Sequence, residues 1–464
     1  MKWVALIVLL AAGIFFSWWL RRYPSAVPKA LMLMGFLPLA LSSDSLRLYM
    51  AAISWADWPG FVKGAEFSVL DAVALALYFS LPSARYALPF RISMALYFIS
   101  VLLSAFQAQV PMATLFYPWQ LARMFLVYAA VARACSLPHG APAVLVGMAA
   151  GLLLQAGIAA WERFVLGFVQ SGGTVHQNLL GVMSHFVVFP LFALLLAGRR
   201  DWLPALGTLV GLAVEILTTS RATVGLALFA YAAVFALSAL RRWTTRKALV
   251  LLFGVFAVVA LSPLVVMSFD RRFAAEAPSD YDERAAFQAA ASMMISDHPL
   301  GVGANQYVVV ANVDGYNRVA GVAAVPGSLS ANVHNAYLLV AAETGYLGLI
   351  TFVLLLLRPM MVAFLCSWRH PRDQRADLLL GLSVALFTVY LHNFFEWIFV
   401  TFQAQYMFAL DLGLVAGLTQ QLGYRRRSGH LRRSYFREAR LGAGPLPIRP
   451  KKHVVEAHNG RAGL

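Results

Sequence analysis

Residues 334–357 read HNAYLLVAAETGYLGLITFVLLLL. A histidine and an asparagine stand directly before an apolar run whose one charge is Glu343. That run is as long as the roughly 20 residues a membrane-crossing helix needs. Upstream, Ser268 to Asn335 is the only long polar stretch before the C-terminal tail, and the apolar run Leu249–Val266 closes it on the other side. Polar chemistry is thereby placed at a membrane surface, between two hydrophobic walls.

The whole chain reads the same way. Of its 464 residues, 60% are apolar and only 12% charged, which excludes an ordinary soluble domain. Candidate spans are Trp3–Leu20, Ala30–Leu41, Phe67–Leu81, Ile92–Ala108, Thr114–Val131, Val144–Val165, Leu179–Leu195, Leu203–Leu217, Ala222–Leu240, Leu249–Val266, Ala336–Leu357, Leu378–Tyr390 and Ile398–Leu418. Several are short, so an all-α polytopic membrane protein with about 12 transmembrane helices is expected. Lys and Arg in short loops mark the cytoplasmic side. Arg241, Arg242, Arg246 and Lys247 form one such cluster and Arg358, Arg369, Arg372 and Arg375 another. Both placed inside, they put the 268–335 loop outside and the C-terminus inside.

Three regions follow: a membrane domain over 1–422, its external loop 268–335, and a basic, disordered tail over 423–464 on the cytoplasmic side. Eleven Lys/Arg against Glu438 and Glu456 give the tail +9 of the net +16, whereas the loop carries −3. Beside a helix, such a tail reads as an orientation signal and a contact for anionic membrane lipids rather than for nucleic acid. Cys135 and Cys366 fall near the inner side, so no disulfide is expected. Arg21 and Arg22 follow the first apolar run with only Lys2 before it, which favours an uncleaved first span.

Inside the loop, Phe287, Ala291, Met294 and Ile295 recur at helical spacing, predicting an amphipathic helix over Asp282–Ser296 with Arg284 near the same face. Pro299, Gly301 and Gly303 end it, and Asn312–Asn332 reads as a mobile Gly/Asn/Ser-rich loop. Arg221 interrupts an apolar region at the outer start of Ala222–Leu240. There a guanidinium and a helix N-terminus can face an anion, or the side chain can simply snorkel. Arg123 lies inside a span, as a substrate contact or as the partner of a buried acid such as Asp71 or Glu215. His334 and Asn335 begin the helix quoted above, where a catalytic imidazole and a helix cap are competing readings. Glu396, in the outer turn after His392, is either an alternative base or the partner of an arginine. His176 is a rival imidazole without a surrounding motif, and Glu343 reads as structural. Asp280-Tyr281-Asp282 suits either a divalent cation or acidic capping. Nucleotide-loop, CxxC and HExxH motifs are absent, and no cofactor or metal is expected.

Three ordered stretches resemble the O-antigen ligase / O-antigen polymerase superfamily. They are Ser220-Arg221-Ala222-Thr223-Val224-Gly225, then Arg284 with Asp297-His298-Pro299-Leu300-Gly301-Val302-Gly303, then His334-Asn335-Ala336-Tyr337-Leu338 with Glu343-Thr344-Gly345-Tyr346-Leu347-Gly348. The resemblance implies a bacterial inner-membrane glycosyltransferase, similar to GT-C transferases in fold, working at the periplasmic face without metal or nucleotide. Its donor would be a glycan on undecaprenyl diphosphate and, in the ligase branch, its acceptor a sugar of lipid A–core. Carried onto matching positions, Arg221 and Arg284 become diphosphate binders and His334 the catalytic histidine. A single moderate external loop and a basic inner tail suit the ligase over the polymerase or protein O-oligosaccharyltransferase. A lipid-linked glycan flippase or other transporter would instead spread charges through the bundle.

Overall fold

The computed structural model describes residues 2–40, 48–81, 88–198, 201–275 and 279–424. Each apolar segment read from the sequence coincides with a helix. In chain order the helices before the hairpin are α1 (Lys2–Arg22) and α2 (Val27–Ala40). After it come α3 (Val69–Ser80), α4 (Arg91–Ser104), α5 (Pro111–Ala134), α6 (Gly140–Phe164), α7 (Gln177–Ala197), α8 (Leu203–Thr218), α9 (Arg221–Arg241) and α10 (Thr245–Ala275). The polar segment contributes α11 (Ser279–Asp297), α12 (Tyr307–Val313), α13 (Tyr316–Val319) and α14 (Pro326–Leu329). The chain then returns through α15 (Ala336–Arg369), α16 (Gln374–His392) and α17 (Phe402–Gln421).

Among the described residues, six helices are long and apolar enough to cross a membrane by themselves: α1, α6, α7, α9, α15 and α16. α2, α3, α4 and α8 are apolar but shorter. The 14 residues of α2 rise only about 21 Å, less than a hydrocarbon core of about 30 Å.

Two helices form the centre. α7 is buried from Leu179 to Leu194, and α17 from Ala404 to Thr419. α16 packs on α7, where Gly381 lies against the backbone of Phe189 and Pro190, too close for any side chain. Small residues at such crossings let helices approach where no hydrophobic driving force separates protein from lipid.

The structure departs from the sequence reading at four places. The chain is not purely α-helical, because β1 (Tyr49–Ser54) and β2 (Gly64–Ser68) pair antiparallel between α2 and α3. α10 continues to Ala275, so the first residues of the expected loop prolong a helix. The segment Asn312–Asn332 folds into α13 and α14, where the Asn312 side-chain amide donates to the carbonyls of Val308 and Leu329 at 2.8 and 2.7 Å. α15 runs on past Leu357 to Arg369, and its path breaks at Gly345, with φ +67°.

That break has a clear cause. The segment after α11 docks into it: Val302 and Gly303 donate to the carbonyls of Ala342 and Glu343, and Tyr346 donates to that of Pro299. A Cβ on Gly345 would run into the backbone of Pro299 and Leu300. The buried Glu343 carboxylate accepts from the Tyr307 amide at 3.1 Å, at the start of α12. Glu343 thus holds the polar segment to α15.

Residues 1–422 form one compact unit. The expected tail lies, from residue 425 on, outside the described residues, as do the side chains of Asp280 and Asp282. Cys135 and Cys366 are separate, buried thiols.

Candidate active site

Glu396 organises the polar end of the bundle. It follows α16, and its amide donates to the carbonyl of His392 at 3.1 Å, extending the last helical turn. The amide of Ala336 donates to the Asn393 carbonyl at 2.8 Å, and the Tyr337 hydroxyl to the Tyr390 carbonyl at 2.8 Å. These two bonds fasten the start of α15 to the end of α16 and bring residues 334 and 396 together.

The Glu396 side chain is 5% exposed and collects three donors. Oε2 lies 3.1 Å from His334 Nδ1. Oε1 accepts from Asn178 Nδ2 at 2.6 Å and from Arg284 Nη2 at 3.2 Å. Burial pushes this carboxyl upward, but the hydrogen bond and charge of His334, with the charge of Arg284, outweigh it and hold the group below its ordinary value. An ionised carboxylate on Nδ1 makes that nitrogen the donor, and in the neutral ring it leaves the Nε2 lone pair open. His334 is 27% exposed and Arg284 42%, so both can meet a substrate while their carboxylate partner is shielded.

Each side chain is positioned by local structure. Asn335 caps α15, its Oδ1 accepting from the amides of Tyr337 and Leu338 at 2.9 and 3.1 Å, which orients His334 one residue earlier. Arg284 sits on α11 near the same face that buries Phe287, Ala291 and Met294, as the spacing predicts. Phe287 also packs on the His334 ring, with centroids 6.2 Å apart.

Asn178 lies in the first turn of α7, which His176 caps. One turn on, Gly181 is packed against the Thr223 side chain with no room for a Cβ. Thr223 is in the first turn of α9, whose first residue is Arg221 and whose cap is Ser220. The N-termini of α7, α9 and α15 therefore gather at one end, with the exposed Arg221 among them. Helix N-termini favour anions, and two guanidiniums add formal charge.

Arg123 is placed elsewhere. It is 4% exposed, with Nε 2.8 Å from Asp71 and Nη1 3.4 Å from Glu66 on β2. The Tyr406 hydroxyl completes Asp71 at 2.7 Å. Of the two partners read from the sequence, Asp71 is the one used. Glu215 instead faces His185, with 3.6 Å between Oε1 and Nδ1.

Several of these residues carry little sequence signal. Asn178 stands in a polar turn without a motif, and only its fit to Glu396 reveals it. His185, Glu215 and His392 are fully buried inside the bundle, the two imidazoles 5.6 Å apart. A polar residue inside an apolar helix was the available signal.

A family model described as O-antigen ligase matches residues 206–353. It runs from α8 into α15, so it includes Arg221, Arg284, His334 and Gly345 but neither Asn178 nor Glu396. The match supports the O-antigen ligase / polymerase superfamily, and with it a membrane enzyme acting on lipid-linked glycans, without separating the branches. No curated protein matches the chain.

Proposed function

We propose that this chain is an O-antigen ligase of the bacterial inner membrane. It would transfer a glycan from undecaprenyl diphosphate to a sugar hydroxyl of lipid A–core at the periplasmic face. The observation that carries this reading is the buried Glu396 carboxylate holding His334 by Nδ1 and Arg284 by Nη2, beside the Arg221 helix end.

The chemistry follows from that arrangement. The acceptor hydroxyl gives its proton to His334 Nε2 as its oxygen attacks the anomeric carbon. The bond from that carbon to the diphosphate oxygen breaks, and the electron pair leaves on the lipid diphosphate. Arg221 and the unspent nitrogens of Arg284 offset the charge gathering there, and guanidinium stays protonated throughout. Glu396 balances the imidazolium, as the carboxylate of a catalytic triad does. In-line displacement inverts the anomeric centre. The reading uses about 12 spans with the 268–335 segment as a periplasmic loop and Asn335 as a positioning cap.

The polymerase and protein O-oligosaccharyltransferase share this chemistry and differ in acceptor. A transporter is the second reading, favoured by the ionisable groups His185, Glu215 and Asp411 buried within the bundle. Product analysis separates them. Proteoliposomes given lipid-linked glycan and lipid A–core should form a glycan–lipid A conjugate with no ATP added. Elongation on the carrier would instead identify a polymerase, and movement without bond formation a transporter.

A further inference from the structure

A second polar site lies at the other end of the bundle from Glu396. α9 starts with Arg221 and ends with Arg241, a rise of about 30 Å, which matches the hydrocarbon thickness. Likewise α16 starts at Gln374 on this far side and ends next to Glu396. Here Arg241, Arg242, Pro371 and Arg372 line a cavity of about 580 Å³. A second cavity, of about 920 Å³, runs along residues 370–375.

The side chain of Arg241 is 3% exposed. Its Nη1 donates to Asp377 at 3.0 Å and to the Ala376 carbonyl at 3.4 Å, and its Nη2 to the His370 carbonyl at 3.4 Å. Its Nε is buried without a partner, an unspent donor on a residue that lines the cavity. Buried Lys247 donates to the carbonyls of Ser238 and Arg242 at 2.7 and 2.5 Å and so fixes the turn that presents Arg242. Arg375 is paired with Asp373. That leaves Arg241, Arg242, Lys247 and Arg372 against Asp377, an excess of positive charge around a cavity. Arg242 and Arg372 are exposed and can move onto a ligand.

The surroundings are apolar. Leu240, Trp243 and Trp368 are 76%, 58% and 45% exposed. Indoles concentrate at the boundary between hydrocarbon and headgroups, and exposed leucine beside them suits an acyl chain. A dissolved anion would have no use for such a rim.

We propose that this cavity binds the phosphodiester headgroup of an anionic phospholipid. Arg242 and Arg372 close on the phosphate through paired N–H donors, and the acyl chains lie along Leu240 and Trp243. The site stands apart from the glycan-transfer reading, because none of its residues touches Glu396 or His334.

The test uses the detergent-purified full chain in native mass spectrometry, titrated with phosphatidylglycerol, phosphatidylcholine or inorganic phosphate. The wild-type protein should retain phosphatidylglycerol in preference to phosphatidylcholine, and millimolar inorganic phosphate should not displace it. Combining Arg242→Ala with Arg372→Ala should weaken that retention by about 30-fold, from the attraction of two basic side chains to an anionic lipid. Undiminished retention by the double variant, or equal retention of phosphatidylcholine, would overturn the proposal. Displacement by inorganic phosphate would also overturn it, as the signature of a free-anion site.

Discussion

Glu396→Gln is the substitution most informative about how the site works. Wild-type Glu396 receives His334, Arg284 and Asn178 on one nearly buried carboxylate, at 3.1, 3.2 and 2.6 Å. Glutamine keeps the volume but removes the charge. The two contacts with ionisable partners weaken by about 1 kcal/mol each, the difference between charge-assisted and neutral hydrogen bonds. The new NH2 group also faces donors, so one pairing is lost outright. Together these predict a loss of about 2 kcal/mol or more in stability. Catalysis should suffer more, since the imidazole loses both the group that fixes its tautomer and the charge that balances imidazolium. A fall of about 10²- to 10⁴-fold in kcat is expected. KM for the donor should move less, because Arg221 is untouched and Arg284 is released towards the diphosphate. Turnover of purified protein in proteoliposomes, with thermal unfolding in parallel, reads both effects. Turnover within a few-fold of wild type in a folded Glu396→Gln variant would refute the reasoning.

Further expectations follow from the same geometry. Arg221→Ala should lower kcat by about 10²- to 10³-fold in protein that still folds, as removal of a transition-state cation does; unaltered transfer would remove Arg221 from the site. Gly345→Ala places a Cβ against Pro299 and Leu300 at a positive φ, so a destabilisation above about 3 kcal/mol is expected. An unchanged melting temperature would contradict that. Since the folded protein holds Glu396 below its ordinary value of 4.5, the ionised carboxylate stabilises the fold above that pH and loses this contribution as pH falls through the lowered value. The stability gap between wild type and Glu396→Gln should therefore shrink as the solution is acidified below about pH 4.5. A gap that widened on acidification would show the opposite sign of coupling.

The sequence disclosed the helices because membrane solvation writes itself into long apolar runs, and from Trp3–Leu20 to Ile398–Leu418 each such run contains a helix. The hairpin was hidden. β1 is built around Met50-Ala51-Ala52, which lacks a clear alternation, and the segment from Trp55 to Lys63 carries the turn dipeptide Pro59-Gly60 but no Asn-Gly or Asp-Gly hairpin pair. α12 begins Tyr307-Val308-Val309-Val310, β-branched residues that disfavour helix, and it is held by the distant Glu343. The kink at Gly345 was equally silent, because residues 336–369 are apolar on both sides of it.

At the site, single residues were legible where charge met an apolar run, as at Arg221 and His334. Partnerships were not. His334 and Glu396 are 62 positions apart, joined through backbone bonds such as that from Ala336 to Asn393. Asn178 reaches Glu396 across 218 positions. Arg123 looked like a substrate contact for the same reason that it is a buried ion pair, since a guanidinium among apolar residues needs an anion of some kind.

The central claim is that an imidazole at position 334, held by Glu396, removes the acceptor proton during glycan transfer. Its most direct test is turnover by a purified, folded His334→Ala variant, with donor binding measured on the same preparation. The account predicts that the lipid-linked glycan still binds while conjugate formation falls to background. Conjugate formation at the wild-type rate would contradict it.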